Sequence, residues 1–301
     1  MTVVALDIGA TKFAAGVVGL AGEVRDVRRV EVPRENVWEA CRGLLLEVVE
    51  GGLVGAVGIG SAGPIDVRAG VTGPLNIPEW KSGFPIVAEV RGLFPGAAIR
   101  FAMDGACLAL AEHHLGALRG VANGLAMTVS SGIGGGIIAD GRVLVGRSGN
   151  AGHIGHIVVP GWDVPCECGG VGCVEAIASG MSSVRWARQQ GWSGDTGMAL
   201  AAAAHAGDEI AVAALHRSGT ALGQAIASAA ALLDIDRVVI GGGFAQSGEP
   251  LWAPLLAAVA RHARLGFLRE LTVVPSRITN GATLVGAGVL AAGHASTGIA
   301  D

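Results

Sequence analysis

The chain has 301 residues, which is enough to bury one large core or two smaller ones. Its net charge of -4 at pH 7 excludes the basic footprint of a nucleic-acid-binding protein, so we expect no nucleic-acid partner. The mean hydropathy is high, at +0.54, but the uncharged stretches at 121–139 and 218–233 are interrupted by Gly, Ser, Asn or Gln, so we expect no transmembrane helix and no membrane partner.

The first half of the chain begins with a β-hairpin and continues with alternating helices and strands. Residues 3–18 read as strand, tight glycine turn and strand, and a further turn at Ala21-Gly22 leads into a third strand at 24–32. The segments that follow are predicted to be helix 37–50, strand 55–59, helix 85–92, strand 98–102 and helix 105–116.

The second half repeats this plan. Residues 125–138 again read as strand, glycine turn and strand, and Asp140-Gly141 makes the next hairpin turn. The two glycine turns align position by position: Asp7 with Ser130, Gly9 with Gly132 and Thr11 with Gly134. The later segments are predicted to be helix 199–205, a long helix near 208–233, strand 237–240, helix 251–264 and strand 271–275.

A duplicated domain with a glycine turn in each copy suits a nucleotide held between two lobes, because backbone N–H groups in such turns bind phosphate oxygens. The alternative is two ordinary hairpins, which is less favoured because both turns occur in register. The chain has no G-x-x-x-x-G-K-[ST] motif, so a P-loop mechanism is not supported. We expect an N-terminal lobe at 1–119, a C-terminal lobe at 120–280, and a segment at 281–301 that returns to pack on the first lobe.

Asp7 ends a predicted buried strand just before the first glycine turn. A carboxylate there is well placed to hold Mg²⁺ or its water shell near a polyphosphate. The alternative is an aspartate that initiates the turn and caps its own loop. Lys12 either adds positive charge near the phosphates or is simply solvated.

Asp104 follows the predicted strand 98–102 and begins the next helix. Aspartate is a preferred N-cap residue, and this is the structural interpretation. The functional interpretation is a general base that takes the proton of a sugar hydroxyl as it attacks a γ-phosphate. The position favours the second, since ligands of open α/β sheets bind at the carboxyl ends of strands.

Two further loops carry weaker indications of binding. Asn76 lies between Pro74 and Pro78, and its amide suits sugar hydroxyls, although asparagine is also common in loops. The triplet Gly241-Gly242-Gly243 follows a predicted strand, where it allows a planar base to approach the backbone closely.

Three of the five cysteines fall within eight residues, 166–173, and His156 precedes the first of them by ten residues. Thiolate and imidazole groups on glycine-rich loops are what a closed tetrahedral zinc site needs. The spacing is not that of a zinc finger, a zinc ribbon or a thioredoxin-type motif. An odd number of clustered cysteines, with no basic leader at the N-terminus, also indicates a reducing compartment, so we expect a cytoplasmic protein.

With these motifs the chain resembles the ROK family of bacterial sugar kinases, named for repressors, open reading frames and kinases, over nearly its whole length. The sequence at 7–12 is similar to the family's first phosphate motif, 132–136 to the second, and 240–243 to its adenosine motif. The run Cys-x-Cys-Gly-x-x-Gly-Cys-x-Glu at 166–175 is the most specific feature.

The resemblance implies an α/β fold of the actin-like, hexokinase-like two-lobed type, a duplicated ribonuclease H-like domain with a structural zinc loop. It implies ATP with Mg²⁺ (held near Asp7), structural Zn²⁺, phosphate transfer to the 6-hydroxyl of a hexose, and a homodimer or tetramer. Asp104 matches the family's catalytic base. The other residues assigned on this basis are the zinc ligands His156, Cys166, Cys168 and Cys173; the nucleotide residues Asp7, Gly9, Thr11, Lys12, Ser131, Gly132, Gly134, Gly241, Gly242 and Gly243; and the sugar residues Gly63, Asn76, Met103, His153, His156 and Glu175.

Two positions depart from the family pattern. Met103 stands where the family usually has an asparagine before the catalytic aspartate, and His153 stands where it usually has a glutamate. Losing groups that pair with sugar hydroxyls removes discrimination for those hydroxyls. We therefore expect a modified ring, such as an amino sugar of the kanosamine type or a C7-cyclitol, with a plain glucokinase as the alternative.

Two other hypotheses are less favoured. A sugar-responsive repressor of the same family carries an N-terminal helix-turn-helix domain, whereas here the phosphate hairpin starts at Thr2, so we expect no such domain. A non-catalytic binding protein would not need the carboxylates Asp7, Asp104 and Glu175, all of which are present.

Overall fold

The computed structural model describes residues 1–9, 11–19, 22–278 and 280–293. Ala21 of the predicted turn and the end of the predicted C-terminal segment, 294–301, lie outside the described residues. The residues group into two compact units. The first contains 1–120, 136–152 and 280–293, and the second contains 121–135 and 153–278, so residues 136–152 belong to the first unit rather than to the predicted C-terminal lobe.

The elements up to residue 120 begin with the predicted hairpin. The strands are β1 (Thr2–Ile8), β2 (Lys12–Val18), β3 (Val24–Glu31), β4 (Val54–Ser61), β5 (Ile65–Asp66), β6 (Val71–Thr72) and β7 (Ala98–Met103). The helices are α1 (Val37–Val49), α2 (Ile86–Leu93) and α3 (Asp104–His114).

The later elements repeat the hairpin and then become mainly helical. The strands are β8 (Gly124–Val129), β9 (Ile133–Ala139), β10 (Arg142–Leu144), β11 (Arg237–Gly241) and β12 (Thr272–Pro275). The helices are α4 (Val174–Ala178), α5 (Gly180–Gln189), α6 (Gly197–His205), α7 (Glu209–Leu233), α8 (Glu249–His262) and α9 (Ala282–Ala292).

The two five-stranded sheets have the same plan, which confirms the duplication. The first has the order β3-β2-β1-β4-β7 and the second β10-β9-β8-β11-β12. In the first, β1 pairs antiparallel with β2 and parallel with β4, and β4 pairs parallel with β7. In the second, β11 runs parallel to both β8 and β12. Each sheet therefore has an edge at which the carboxyl ends of three parallel strands meet.

The core of the first unit lies between its sheet and two helices that pack closely. α9 contacts α3, β1 and β4. Glycines allow this approach, since a Cβ at Gly286 of α9 would collide with the carbonyl of Cys107 on α3, and one at Gly58 of β4 would collide with that of Ala287. On the loop side, Trp80 is fully buried and its ring stacks 5.6 Å from Phe13.

In the second unit, α7 packs along α8, and α4, α5 and α6 also contact α7. Gly219 and Gly223 of α7 face the backbone of α8, which brings these two helices together. Within the described residues, no single helix is long and apolar enough to cross a membrane; α6 and α7 meet that criterion only as a pair, and the pair is bent by 113°.

Candidate active site and metal centre

Two carboxylates lie at one edge of the first sheet. β1, β4 and β7 are parallel, and the register places Asp7 opposite Gly60 on β4. Ser61, the next residue of β4, lies opposite Met103 on β7. Asp104 follows directly and begins α3. Ligands of open α/β sheets bind at this edge, so the first unit offers two carboxylates where a substrate is expected.

Burial dominates the electrostatics of both carboxylates. It raises the pKa of Asp7 to about 7; the negative charge of Asp104 adds to this rise, and Lys12 and Arg29 oppose it. Burial also raises the pKa of Asp104 to about 6, against a 2.6 Å hydrogen bond that the Gly105 N–H donates to Oδ1. Both groups titrate near neutrality, which is a property of proton-transfer and cation-binding sites.

The N-cap interpretation of Asp104 is wrong. Met103 is the N-cap of α3, with an extended backbone (φ -65°, ψ 148°) and no side-chain capping bond. Asp104 is the first helical residue, where the positive end of the helix dipole stabilises a carboxylate. Met103 is 2% exposed, so its side chain supplies apolar volume and no polar group.

Two cations of the first sheet act on Asp7. Lys12 is exposed at the start of β2, and its charge lowers the pKa of Asp7. Arg29 of β3 lies opposite Ala14, and Ala14 lies opposite Asp7. Directly opposed residues on neighbouring strands share a face, so Arg29 and Asp7 are on the same face. Sequence reasoning missed Arg29, because only the register across three strands reveals it.

The first glycine turn and the loops after β4 hold the other predicted residues of this unit. The N–H of Gly9 donates to the carbonyl of Lys12 at 3.1 Å and closes the turn, and Thr11 is exposed beside it. Gly63-Pro64 is a cis peptide bond, and Asn76 is exposed in a turn.

The predicted zinc ligands of the second unit form one cluster. The ligand atoms of His156, Cys166, Cys168 and Cys173 all lie within 4.8 Å of one another. The Sγ atoms of Cys168 and Cys173 are 3.7 Å apart, and Cys166 Sγ is 3.8 Å from His156 Nδ1. Tetrahedral zinc, with Zn–S bonds of about 2.3 Å and Zn–N bonds of about 2.0 Å, needs separations of roughly 3.5–3.8 Å. One imidazole and three thiols at this spacing fit Zn²⁺.

Backbone hydrogen bonds give the loop that carries these cysteines its shape. Cys166 N–H donates to the carbonyl of Gly170 at 2.8 Å, and Gly172 N–H donates to that of Val164 at 2.9 Å. Gly172 has φ +78°, a conformation that favours glycine. We call residues 157–173 the zinc loop. Gly169, with φ +89°, has the same type of backbone conformation, so two of the three glycines between the cysteines are favoured by the shape of this loop.

Glu175 and His153 lie beside the cluster. Glu175, on α4, accepts the N–H of Ile133 at 2.7 Å and sits against Gly132 of the second glycine turn. The ring centroid of His153 is 5.8 Å from that of His156. Burial lowers the pKa of His153, a charge on His156 acts in the same direction, and Glu175 opposes it. Burial thus favours the neutral ring of His153, which both donates and accepts hydrogen bonds, whereas a glutamate at this position would be a fixed charge.

The adenosine-type motif follows β11 in the second unit. Gly242 has φ +97°, and a Cβ there would meet the backbone of Val129 at the end of β8. Ser130 N–H donates to the carbonyl of Gly132 at 2.9 Å and closes the second glycine turn. The remaining predicted nucleotide residues of this unit are in the same turns and strands: Ser131, Gly134, Gly241 and Gly243.

Within each unit, the structure brings together most of the predicted residues. In the first, Asp7, Met103 and Asp104 share one sheet edge; in the second, His153, Glu175 and the four metal-binding side chains are neighbours. Sequence reasoning also missed Arg217 of α7, which contacts the zinc loop and whose helical spacing carries no motif.

Comparison with known proteins gives the same picture. The model of the ROK family matches residues 3–294. An N-acetylmannosamine kinase of Escherichia coli (strain SMS-3-5 / SECEC) is 38% identical over 248 residues, covering 80% of this chain and 83% of that protein. A glucokinase of Thermotoga maritima is 32% identical over 306 residues, covering 95% and 96%. A ROK family glucokinase from Streptomyces griseus, solved with glucose and AMPPNP, matches with a TM-score of 0.83 at 31% identity, covering 97% and 100%.

Two duplicated sheets and a His-Cys₃ cluster define a hexokinase-like α/β protein with a zinc loop, as the sequence predicted. Within that class, the chain belongs to the ROK family.

Proposed function

We propose that the chain is an ATP-dependent sugar kinase that transfers the γ-phosphate to the primary hydroxyl of a hexose or hexose analogue, with Asp104 as general base. The observation that carries the proposal is the buried carboxylate of Asp104, with a pKa raised to about 6, at the carboxyl end of β7 beside Asp7. Family membership supports it, since relatives across the family include kinases for N-acetylmannosamine and glucose.

The pKa of Asp104 suits proton abstraction. At pH 7.5 a carboxyl with a pKa of about 6 is ionised, yet it is a stronger base than an ordinary aspartate. It accepts the proton of the hydroxyl as that oxygen attacks the γ-phosphorus. The backbone N–H of Gly105 holds Oδ1, which leaves Oδ2 for the substrate. A general base of this kind accelerates a reaction by about 10² to 10⁴.

Asp7 fits Mg²⁺. Its pKa of about 7 reports a carboxylate destabilised by burial and by Asp104, and a bound cation would relieve both effects. Mg²⁺ supplies neutralisation of the phosphate charge in phosphoryl transfer. In the first unit we assign the turn with Gly9, Thr11 and Lys12 to the phosphates. In the second we assign the turn at 131–134 to phosphate and 241–243 to adenosine.

Glu175 and His156 are assigned to the sugar. Glu175 is fixed by its hydrogen bond from Ile133, so it presents a carboxylate in one orientation. His156 is fixed by the zinc cluster. The zinc ion here has a structural role, because four protein ligands leave no open coordination position.

For the substrate we favour a ring that carries an amino or N-acylamino group, with N-acetylmannosamine as the first candidate. Apolar Met103 and neutral His153 replace two groups that pair with hydroxyls in the family, and the curated relatives at 37–38% identity include N-acetylmannosamine kinases. Kanosamine and C7-cyclitols fit the same reasoning. Plain glucose is the alternative, in which the two changes are tolerated without a change of substrate.

The test is ADP release with Mg-ATP over a panel of acceptors, with Asp104→Asn as the blank. The panel contains N-acetylmannosamine, N-acetylglucosamine, glucosamine, mannose, glucose, kanosamine and a C7-cyclitol. Turnover far ahead on one amino or acylamino ring supports the proposal, and strong turnover on glucose makes the chain a glucokinase. ADP release no higher than the blank on every acceptor would contradict the kinase assignment.

A further inference from the structure

One cation in the second unit contacts three separate segments. The guanidinium carbon of Arg217, on α7, lies 5.8 Å from the ring centroid of Trp162 in the zinc loop and 5.6 Å from that of Trp186 on α5. Its Nη1 donates to the carbonyl of Ile177 on α4 at 2.6 Å. Cation–π contacts and a charge-assisted hydrogen bond are both strong when partly shielded from water.

The first of these contacts holds the zinc loop from outside the metal cluster. Trp162 lies in the part of the loop that folds back on Gly172, and Gly172 precedes the zinc ligand Cys173. The loop is closed at this end by the 2.9 Å bond from Val159 N–H to the carbonyl of Gly172. The position of the Trp162 ring is therefore linked to that of Cys173 through the contact of Trp162 with Gly172.

The hydrogen bond from Arg217 to Ile177 holds α4, the helix that carries Glu175, which is the carboxylate assigned to the sugar. Cys173 is the N-cap of α4, Glu175 is in its first turn, and Ile177 is near its end. The hydrogen bond from Arg217 neutralises the negative end of this short helix. α4 is thus fixed at one end by the metal cluster and at the other by Arg217.

We propose that Arg217 is a positioning residue that couples the zinc loop to Glu175, so that an intact loop keeps the sugar carboxylate in place. The contact with Trp162 and the hydrogen bond to Ile177 are both made by the same guanidinium group, whose planar shape allows it to stack on a ring and to donate to a carbonyl. Burial lowers the pKa of Arg217, yet an arginine stays charged at neutral pH. The measurement of sugar affinity that tests this proposal rests on the proposed function, whereas the measurement of zinc release does not.

The experiment compares zinc-loaded wild type with Arg217→Met, Arg217→Lys and Arg188→Met. Arg188 is an exposed arginine on α5, so its variant removes the same charge without the contacts described above. The first measurement is the rate at which a chromogenic chelator removes zinc. The second is the dissociation constant for N-acetylmannosamine and for glucose by calorimetry, together with kcat at saturating sugar.

We expect Arg217→Met to bind one zinc, to release it about tenfold faster than wild type, and to bind its sugar about tenfold more weakly. We expect kcat at saturation to change by no more than about twofold, because Asp104 is untouched. Arg217→Lys keeps the cation over the rings and should recover part of both losses. Arg188→Met should match wild type.

If Arg217→Met proves too unstable to purify, Trp162→Leu removes the aromatic face of the same contact and is expected to change zinc release and sugar affinity in the same direction. Zinc release and sugar affinity equal to those of Arg188→Met would overturn the proposal. If neither sugar binds wild type, the affinity is measured with the acceptor that is turned over fastest in the ADP-release panel, and ADP release no higher than the blank on every acceptor means that the proposed function has failed on its own. Zinc release then still decides whether Arg217 holds the loop.

Discussion

Asp7 and Asp104 stand at the carboxyl ends of β1 and β7, with one strand between them, and the negative charge of Asp104 raises the pKa of Asp7. Two buried carboxylates that repel one another are unfavourable for folding alone. The pair becomes favourable when a cation or a transferable proton is bound.

Replacing Asp104 by asparagine is expected to lower kcat by about 10² to 10⁴, because the amide cannot accept the hydroxyl proton. Sugar affinity should stay within a few-fold of wild type, since the amide keeps the shape of the side chain. Steady-state ADP release measures the change in kcat, and calorimetry measures the sugar affinity. Asp195→Asn, at an exposed position of the second unit, is the control and should leave both unchanged. Near-normal turnover in Asp104→Asn would refute the assignment of the base.

Replacing Asp7 by asparagine is expected to stabilise the protein in Mg²⁺-free buffer at pH 8. The folded-state pKa of Asp7, about 7, is above its usual 3.8, so the folded state holds the proton more tightly. Stability therefore falls as pH rises from about 4 through 7, and ionised Asp7 destabilises the fold above that range. We expect a gain on the order of 4 kcal/mol at pH 8, decreasing to about 2 kcal/mol at pH 5.

Urea unfolding at pH 8, 6 and 5 measures this gain, again with Asp195→Asn as control. An equal difference at all three pH values would mean that ionisation of Asp7 is not its cause. Asp104→Asn should show the same direction with a smaller gain, because its pKa is raised only to about 6.

The metal cluster predicts one zinc per chain. Cys168→Ser removes an exposed thiol ligand, so we expect zinc content to fall well below one equivalent and the melting temperature to decrease, because metal binding is coupled to folding of the loop. Elemental analysis and thermal melts of protein purified without chelator provide the measurements. Cys41→Ala changes a cysteine outside the cluster and should keep its zinc. Metal-free wild type would rule out the four-ligand assignment.

Local chemistry explains what the sequence made visible. A few neighbouring residues are enough to indicate the glycine turns at Gly9 and Gly132 and the cysteines of the zinc loop. The ends of the predicted helices and strands differ from the observed ones by at most two residues. α4 and α5 were not predicted, because α4 is too short for helical periodicity and lies against a glycine- and cysteine-rich loop.

Features that depend on distant contacts were not visible. Residues 136–152 belong to the first unit partly because Gly136 packs against Gly105 and because the amide of Asn150 pairs with both backbone groups of Ile65, at 3.0 and 2.7 Å. These partners are separated by many residues, so no local pattern indicates them. Arg29 and Arg217 were missed for the same reason.

Because α9 packs closely on α3, we expect Gly286 not to tolerate replacement by a residue with a side chain. A Cβ at Gly286 would overlap the carbonyl of Cys107, so Gly286→Ala must push the helices apart and should cost about 1–3 kcal/mol or prevent folding. Gly92 of α2 is exposed, with nothing within 4 Å of its added Cβ, so Gly92→Ala should be neutral or stabilising by about 0.5–1 kcal/mol. Urea unfolding compares them, and equal stability of the two variants would contradict the packing described.

The substrate preference is expected to depend on Met103 and His153. Met103→Asn with His153→Glu returns a hydroxyl-pairing amide and a fixed charge, so kcat/KM for glucose relative to N-acetylmannosamine should rise about tenfold or more. The measurement is kcat/KM for both sugars in the double variant and in each single one. Met103→Leu keeps an apolar side chain, and His216→Glu adds the same charge at an exposed position, so both should keep the wild-type ratio. If the ratio of kcat/KM for glucose to that for N-acetylmannosamine is the same in the double variant as in wild type, residues other than Met103 and His153 determine the substrate preference.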